Sequence, residues 1–279
     1  MTIGFDALQR EYVEIAEARV MPGLRMVLGA YAIPGPWREA CKGVYWVKGL
    51  DYTCVRSGDA GSSDLVLGLG GTQQELIAWT GQQSAPVVVW NDELPRSTWV
   101  SQLHLAECLA PGAPQLIPAD AEARIRMFGL ANELLGERGL VWEKRHLMVD
   151  APLKSLPPDD PQREFWIFLG RKYGYSPQAA AASAKKIAAI VEVFARQLRA
   201  QKARGSDYLI GNALSALDIY WAACCAVLDP MESARCPMAD AFRGPYGNTD
   251  PDIAKALIPE LVAHRDFIYE KHLELPVVF

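Results

Sequence analysis

The sequence contains no run of about 18 consecutive apolar residues, the length a membrane-spanning helix requires, so no membrane span is expected. Its opening stretch, MTIGFDALQREYVEIAEARV, mixes both charge signs and lacks the apolar core of a secretory signal; a cytoplasmic protein is expected. The 6 cysteines, at 41, 54, 108, 224, 225 and 236, include no Cys-x-x-Cys pair, which argues against the common zinc and redox motifs and for buried, reduced thiols. The 4 histidines, at 104, 146, 264 and 272, lack ligand spacing, and no metal site is expected. Positive charge is not in excess either. A net charge of −5, a pI near 5.5 and scattered basic residues argue against a nucleic-acid partner.

What is present is ordinary globular composition, 50% hydrophobic and 22% charged, in a chain long enough for one large or two modest domains. Phe5, Leu8, Tyr12, Ile15 and Val20 recur at near-helical spacing, which predicts a short amphipathic helix over 5–19. LRMVLGAYA (24–32) reads as a strand, IPGP (33–36) as a break, WREACKGVYWVKG (37–49) as a helix and LDYTCV (50–55) as a second strand. RSGDAGSS is a polar loop, and 65–80 has no clear periodicity. The stretch QQSAPVVVWNDELPRSTWV (82–100) places Pro86 ahead of a strand and Arg96 and Ser97 ahead of a helix over about 97–109. A proline there fits a strand that begins at a sheet edge, where the missing donor harms nothing. It equally fits a cis Ala85–Pro86 peptide. Alternating strands and helices make the first third a small α/β domain.

LAPGAPQLIPAD (109–120), rich in proline and glycine, is the expected boundary, and everything after it reads as helix. Asp120 and Ser176 are candidate N-caps, with Pro177 in the first helical position. Ile187, Ile190, Val191, Phe194 and Leu198 mark a buried face, and the nearly all-apolar LSALDIYWAACCAVL (214–228) belongs at a bundle centre. Residues 250–273 form further helix, interrupted or restarted near Pro259. Ser215 and Asp218, three apart, have the spacing of a capping box and are a fold feature, not a site.

Three signatures, in this chain order, resemble the glutathione transferases: WREACKGVYWVKGLDYTCV, APVVV followed by Ser97, and LIGNALSALDIYWA (209–222) with its Gly-x-x-x-Ser-x-x-Asp element. The C-terminal HRDFIYEKHLELPVVF is similar to one bacterial branch. The resemblance implies an N-terminal extension (1–22), an α/β thioredoxin-like glutathione-binding domain (23–109), a linker (110–119) and an all-helical domain (120–279). It further implies a homodimer, glutathione as co-substrate and a hydrophobic electrophile as the second substrate.

The resemblance also distributes roles. Ala85, in the Ser84–Ala85–Pro86 loop, would pair its main chain with the cysteinyl part of glutathione. Ser97, at a helix start, would donate to the γ-glutamyl carboxylate; plain N-capping is its bland alternative. Arg96 departs from the acidic residue or glutamine common there, and prefers a carboxylate or simply solvent. The position that holds a catalytic Ser or Cys in other classes falls on Gly35, so Tyr31 is the only hydroxyl available in that segment to stabilise a thiolate. Trp37, Arg38 and the helix-start amides are the other stabilisers, and Cys41 is expected to be buried. Phe128, Trp142, Tyr173 and Tyr175 are candidate aromatic walls of an electrophile pocket. Gly35 and Arg96 together motivate the competing function, a non-catalytic binding or scaffold protein on the same fold.

Overall fold

A computed structural model describes residues 10–29, 33–57, 73–238 and 240–279. Two compact units emerge: Met1–Leu116 with Met231–Arg243 and Ile268–Phe279, and Ile117–Pro230 with Gly244–Phe267. The break in the chain at 116/117 lies in the proline-rich stretch. Two segments of the C-terminal third, however, fold with the first unit.

The first unit is built on a sheet with strand order β2-β1-β3. The central β1 (Leu24–Leu28) is buried at every position, as a strand covered on both faces must be. β2 (Thr53–Arg56) pairs with it in parallel, Met26 opposite Cys54. β3 (Val87–Trp90) pairs antiparallel, Met26 opposite Val88. Three helices follow the strands in turn: α2 (Pro36–Val47) after β1, α3 (Gln74–Thr80) after β2 and α4 (Trp99–Leu109) after β3. Val27, Val55, Leu76, Val87 and Val89 form the core.

Of the predicted helix over 5–19, residues 5–9 lie outside the described residues, and over 10–19 only α1 (Ile15–Ala18) is helical. The reason is competition from the sheet. Val13 donates its N–H to Cys54 O (3.0 Å) and accepts from Arg56 N (2.9 Å), satisfying groups on the open edge of β2 that a helix would leave bare. Ile15 and Ala18 then drop into the core. Arg25, only 2% exposed, ties this segment to β1 and β3 by donating to the carbonyls of Ala18, Met21 and Asn91, with Trp79 against its guanidinium. The chain's last residues also belong here. Val277 N–H bonds Arg235 O, Lys42 Nζ bonds Val278 O (2.6 Å), and the Phe279 ring, 1% exposed, lies 5.1 Å from the Arg38 guanidinium.

The second unit contains α5 (Ala121–Leu135), α6 (Leu140–Ser155), α7 (Gln162–Tyr173), α8 (Pro177–Lys202) and α9 (Ala216–Cys225). After α9 come α10 (Asp240–Tyr246), which begins in the first unit, α11 (Pro251–Ala256) and α12 (Pro259–His272), which ends in it. Asp120 and Ser176 cap α5 and α8 through the amides of Ala123 and Ala179. Every residue of α9 is buried, and its Trp221 stacks on Phe194 of α8 and donates to Leu261 O. Pro259 restarts the helix rather than kinking it, since proline is tolerated in a first turn. Among the described residues no helix is long and apolar enough to cross a membrane.

At the entry to α9, Asp218 does more than cap. Its fully buried carboxylate accepts from Ser215 N (3.0 Å), Ser215 Oγ (2.7 Å) and Leu209 N (2.7 Å), and lies 3.1 Å from His264 Nε2 of α12. One side chain thereby joins a loop, a helix start and a second helix.

Candidate functional site

The Ala85–Pro86 peptide is cis, and β3 begins immediately after it. Ser84 and Ala85 are half-buried and Pro86 is buried. Val87 and Val89 face the β1 ladder, whereas Val88 turns its N–H and C=O the other way, to Arg96 O (2.9 Å) and Arg96 N (2.7 Å). Among the described residues, the N–H and C=O of Ala85 have no hydrogen-bond partner.

One buried side chain braces this loop. Gln102 of α4 donates from Nε2 both to Pro86 O (3.0 Å) and to Arg96 O (3.2 Å), while its main-chain carbonyl accepts the Tyr45 hydroxyl of α2 (3.1 Å). Two carbonyls bound to one nitrogen must be close together. The segments carrying Ala85 and Ser97 are therefore neighbours, held against α4.

At the start of α4 the N-cap is Thr98, not Ser97. Thr98 Oγ1 accepts from Ser101 N (3.1 Å), and Ser101 Oγ accepts from Thr98 N (3.2 Å), a complete capping box. The sequence signal was the Thr-x-x-Ser spacing one residue downstream of the serine that was singled out. Ser97 is exposed, and its hydroxyl has no partner among the described residues. Arg96 folds away: it pairs with Glu93 (2.6 Å) and donates to Leu94 O.

At the start of α2, Gly35 is the N-cap and Pro36 occupies N1, so no side chain caps this helix. Trp37 is half-buried. Arg38 is turned inward. It is buried and donates to Gly29 O (2.6 Å), to Ile33 O and to Glu39 (2.9 Å), clasping the ends of the β1–α2 connection. Glu39 is sealed with it: burial would raise its pKa, but Lys42 (2.8 Å) and Arg38 outweigh this and hold it below the usual carboxylate range. Cys41 is buried, and burial together with Glu39 pushes its thiol far up, so it offers no thiolate. Tyr31, the candidate catalytic residue, lies outside the described residues. Of the cysteines, Cys108 is exposed and the other five are buried, all as free thiols.

In the helical unit, Trp142, Tyr173 and Tyr175 are engaged with one another's surroundings. Trp142 packs edge-on against Tyr173 (5.0 Å) and donates to Tyr173 O, which His146 Nε2 also approaches at 2.8 Å. The Tyr175 hydroxyl bonds Asp150. Phe128 is half-buried on α5. A cavity of about 730 Å³ exists in this unit, yet none of these four lines it; its aromatic wall is Trp166.

No protein-family model and no curated protein sequence matches the chain. Solved structures do. A rice glutathione transferase in complex with glutathione aligns over 92% of this chain and 93% of its own at 17% identity, TM-score 0.56. A glutathione S-transferase from Xanthobacter autotrophicus aligns over 90% and 96% at 16% identity, TM-score 0.55. The β-etherase LigF from a Sphingobium strain aligns over 84% and 98% at 16% identity, TM-score 0.52. The chain has the glutathione transferase fold, a thioredoxin-like sheet unit with a helical unit.

Proposed function

We propose that the protein is a glutathione-dependent enzyme of the transferase type, using the thiol to attack a hydrophobic electrophile or in a related cleavage or reduction. The observation that carries this reading is the pairing of two uncommitted groups. The main chain of Ala85 and the hydroxyl of Ser97 lack partners among the described residues, and Gln102 holds their segments side by side. An extended peptide with an acidic end matches that arrangement. Its central residue pairs with Ala85 in strand fashion, and its carboxylate takes the Ser97 hydroxyl at the positive end of α4. The fold supports the reading, because a structure sharing it holds glutathione.

In this reading Tyr31 supplies the hydroxyl that stabilises the thiolate. Gly35 offers only backbone at the helix start, and Arg38 is spent inside the protein. Retention on immobilised glutathione, followed by conjugation of a general electrophile, tests binding and turnover separately. Tyr31→Phe is expected to raise the pKa of the bound thiol and lower turnover at least about tenfold while glutathione is still bound. Unchanged thiol pKa and turnover would remove Tyr31 from the mechanism.

Gly35 also favours a second reading, a binding or scaffold protein that keeps the cradle and lacks the activating group. Binding to immobilised glutathione with no turnover of any electrophile is its signature.

A further inference from the structure

The cavity of about 730 Å³ in the helical unit falls in the range of small-molecule sites, roughly 300–1,000 Å³. Leu147, Met148, Pro152, Trp166 and Pro245 give it an apolar lining, and Lys144 of α6 contributes the one cation among the described residues. Lys144 is 5% exposed. Of its three N–H donors, one goes to Gly247 O (2.6 Å), and no other partner exists among the described residues.

The carboxylates on the same wall are taken. Asp150 accepts from the Tyr175 hydroxyl (2.9 Å) and pairs with Lys154 (2.6 Å). Asp250 caps α11 through the amides of Asp252 and Ile253. Lys144 thus lies buried beside a cavity with no counter-ion among the described residues. Its neighbour along α6, Arg145, adds like charge. Burial first, and Arg145 second, lower the amine's pKa to about 8. A lysine amine in water, at roughly 10.4, is almost wholly protonated under the same conditions.

We propose that Lys144 is the nucleophile of a second site, which captures an apolar aldehyde in this cavity as an imine. In its neutral form the amine keeps one N–H on Gly247 O and has a lone pair for attack. The nitrogen forms a bond to the carbonyl carbon, the carbonyl π pair moves to oxygen, and that oxygen takes one of the two nitrogen protons through solvent to give the carbinolamine. The nitrogen lone pair then forms the C=N bond as the C–O bond breaks, and the departing hydroxide takes the remaining nitrogen proton to leave as water, giving the neutral imine. No electrons are exchanged with an outside partner. A desolvated lysine in an apolar pocket is the setting in which amine nucleophiles are activated.

The test uses the intact protein with benzaldehyde and cyanoborohydride, whose hydride fixes the imine as a benzylamine, followed by site-resolved mass spectrometry across pH. Near pH 8 Lys144 is expected to be labelled at least about tenfold faster than the exposed Lys154, along a pH curve centred on its own deprotonation. Met148→Trp, one turn from Lys144 on α6, puts an indole beside the amine and is expected to slow Lys144 at least tenfold and leave Lys154 unchanged, with folding verified by thermal melting. Lys172 is a second control: it is exposed on α7 and does not line the cavity. Labelling of Lys172 as fast as Lys144, or no preference for Lys144 over Lys154, overturns the proposal.

Discussion

Ser97 and Thr98 are adjacent hydroxyl residues with different duties, and the difference is testable. Thr98 shares its hydrogen bonds with Ser101 at the helix start, whereas Ser97 has none within the described residues. Thr98→Ala is expected to lower stability by about 1 kcal/mol, the usual value of an N-cap, and to be seen in chemical denaturation. Ser97→Ala is expected to leave the melting temperature in place and weaken glutathione binding about tenfold, a loss of about 1.4 kcal/mol by titration calorimetry. Equal effects of the two changes on stability would return Ser97 to a capping role. Arg38 shows the opposite relation of sequence to site. Its place at a helix start suggested a ligand contact, but the open carbonyls of Gly29 and Ile33 claimed the guanidinium. Only the path of the β1–α2 connection decides where those carbonyls stand.

Among the elements, α9 depends on a single carboxylate. Asp218 serves four partners without access to water, so Asp218→Ala strands the Leu209 and Ser215 amides and removes the partner of His264. The expected cost is about 3 kcal/mol or more, because buried donors left unsatisfied lose their full solvation. Urea denaturation measures it, and a cost below about 1 kcal/mol would mean that the network is not holding the helix. The capping spacing of Ser215 and Asp218 was legible in the sequence because it is local; the bonds to Leu209 and His264 were not. The same contrast separates α8 from α1. Ser176, Pro177 and a helical period sustained over 26 residues define α8 without help, but the helical spacing at Val13 gave way to pairing with β2. A short amphipathic stretch is marginal as a helix, and an open strand edge outbids it.

For the whole molecule, acid is expected to act through the sealed Glu39–Lys42–Arg38 group of the first unit. The folded-state pKa of Glu39 lies below its unfolded value, so its contribution is fully present above roughly pH 4.3 and is lost as pH falls through the folded value. Burial lowers Lys42, and its deprotonation preference offsets part of that gain at neutral pH. Glu39→Gln is expected to lower the melting temperature at neutral pH, with the gap closing below about pH 4. A gap that persists unchanged into acid would show that packing, not charge, is what the substitution removes.

Periodicity and caps made β1, α2, β2, β3, α4, α5, α8 and α9 legible, because each depends on neighbours within a few residues, whereas α3 fell in a stretch without clear periodicity. The tertiary structure alone decided that residues 268–279 fold with the sheet unit, that Val13 edges β2, that Gln102 braces Pro86 and Arg96, and that Lys144 lines a cavity. These contacts join positions far apart in the chain, many through backbone carbonyls that every residue carries. Side-chain identity leaves no local mark of such a pairing, so only the folded path can select it.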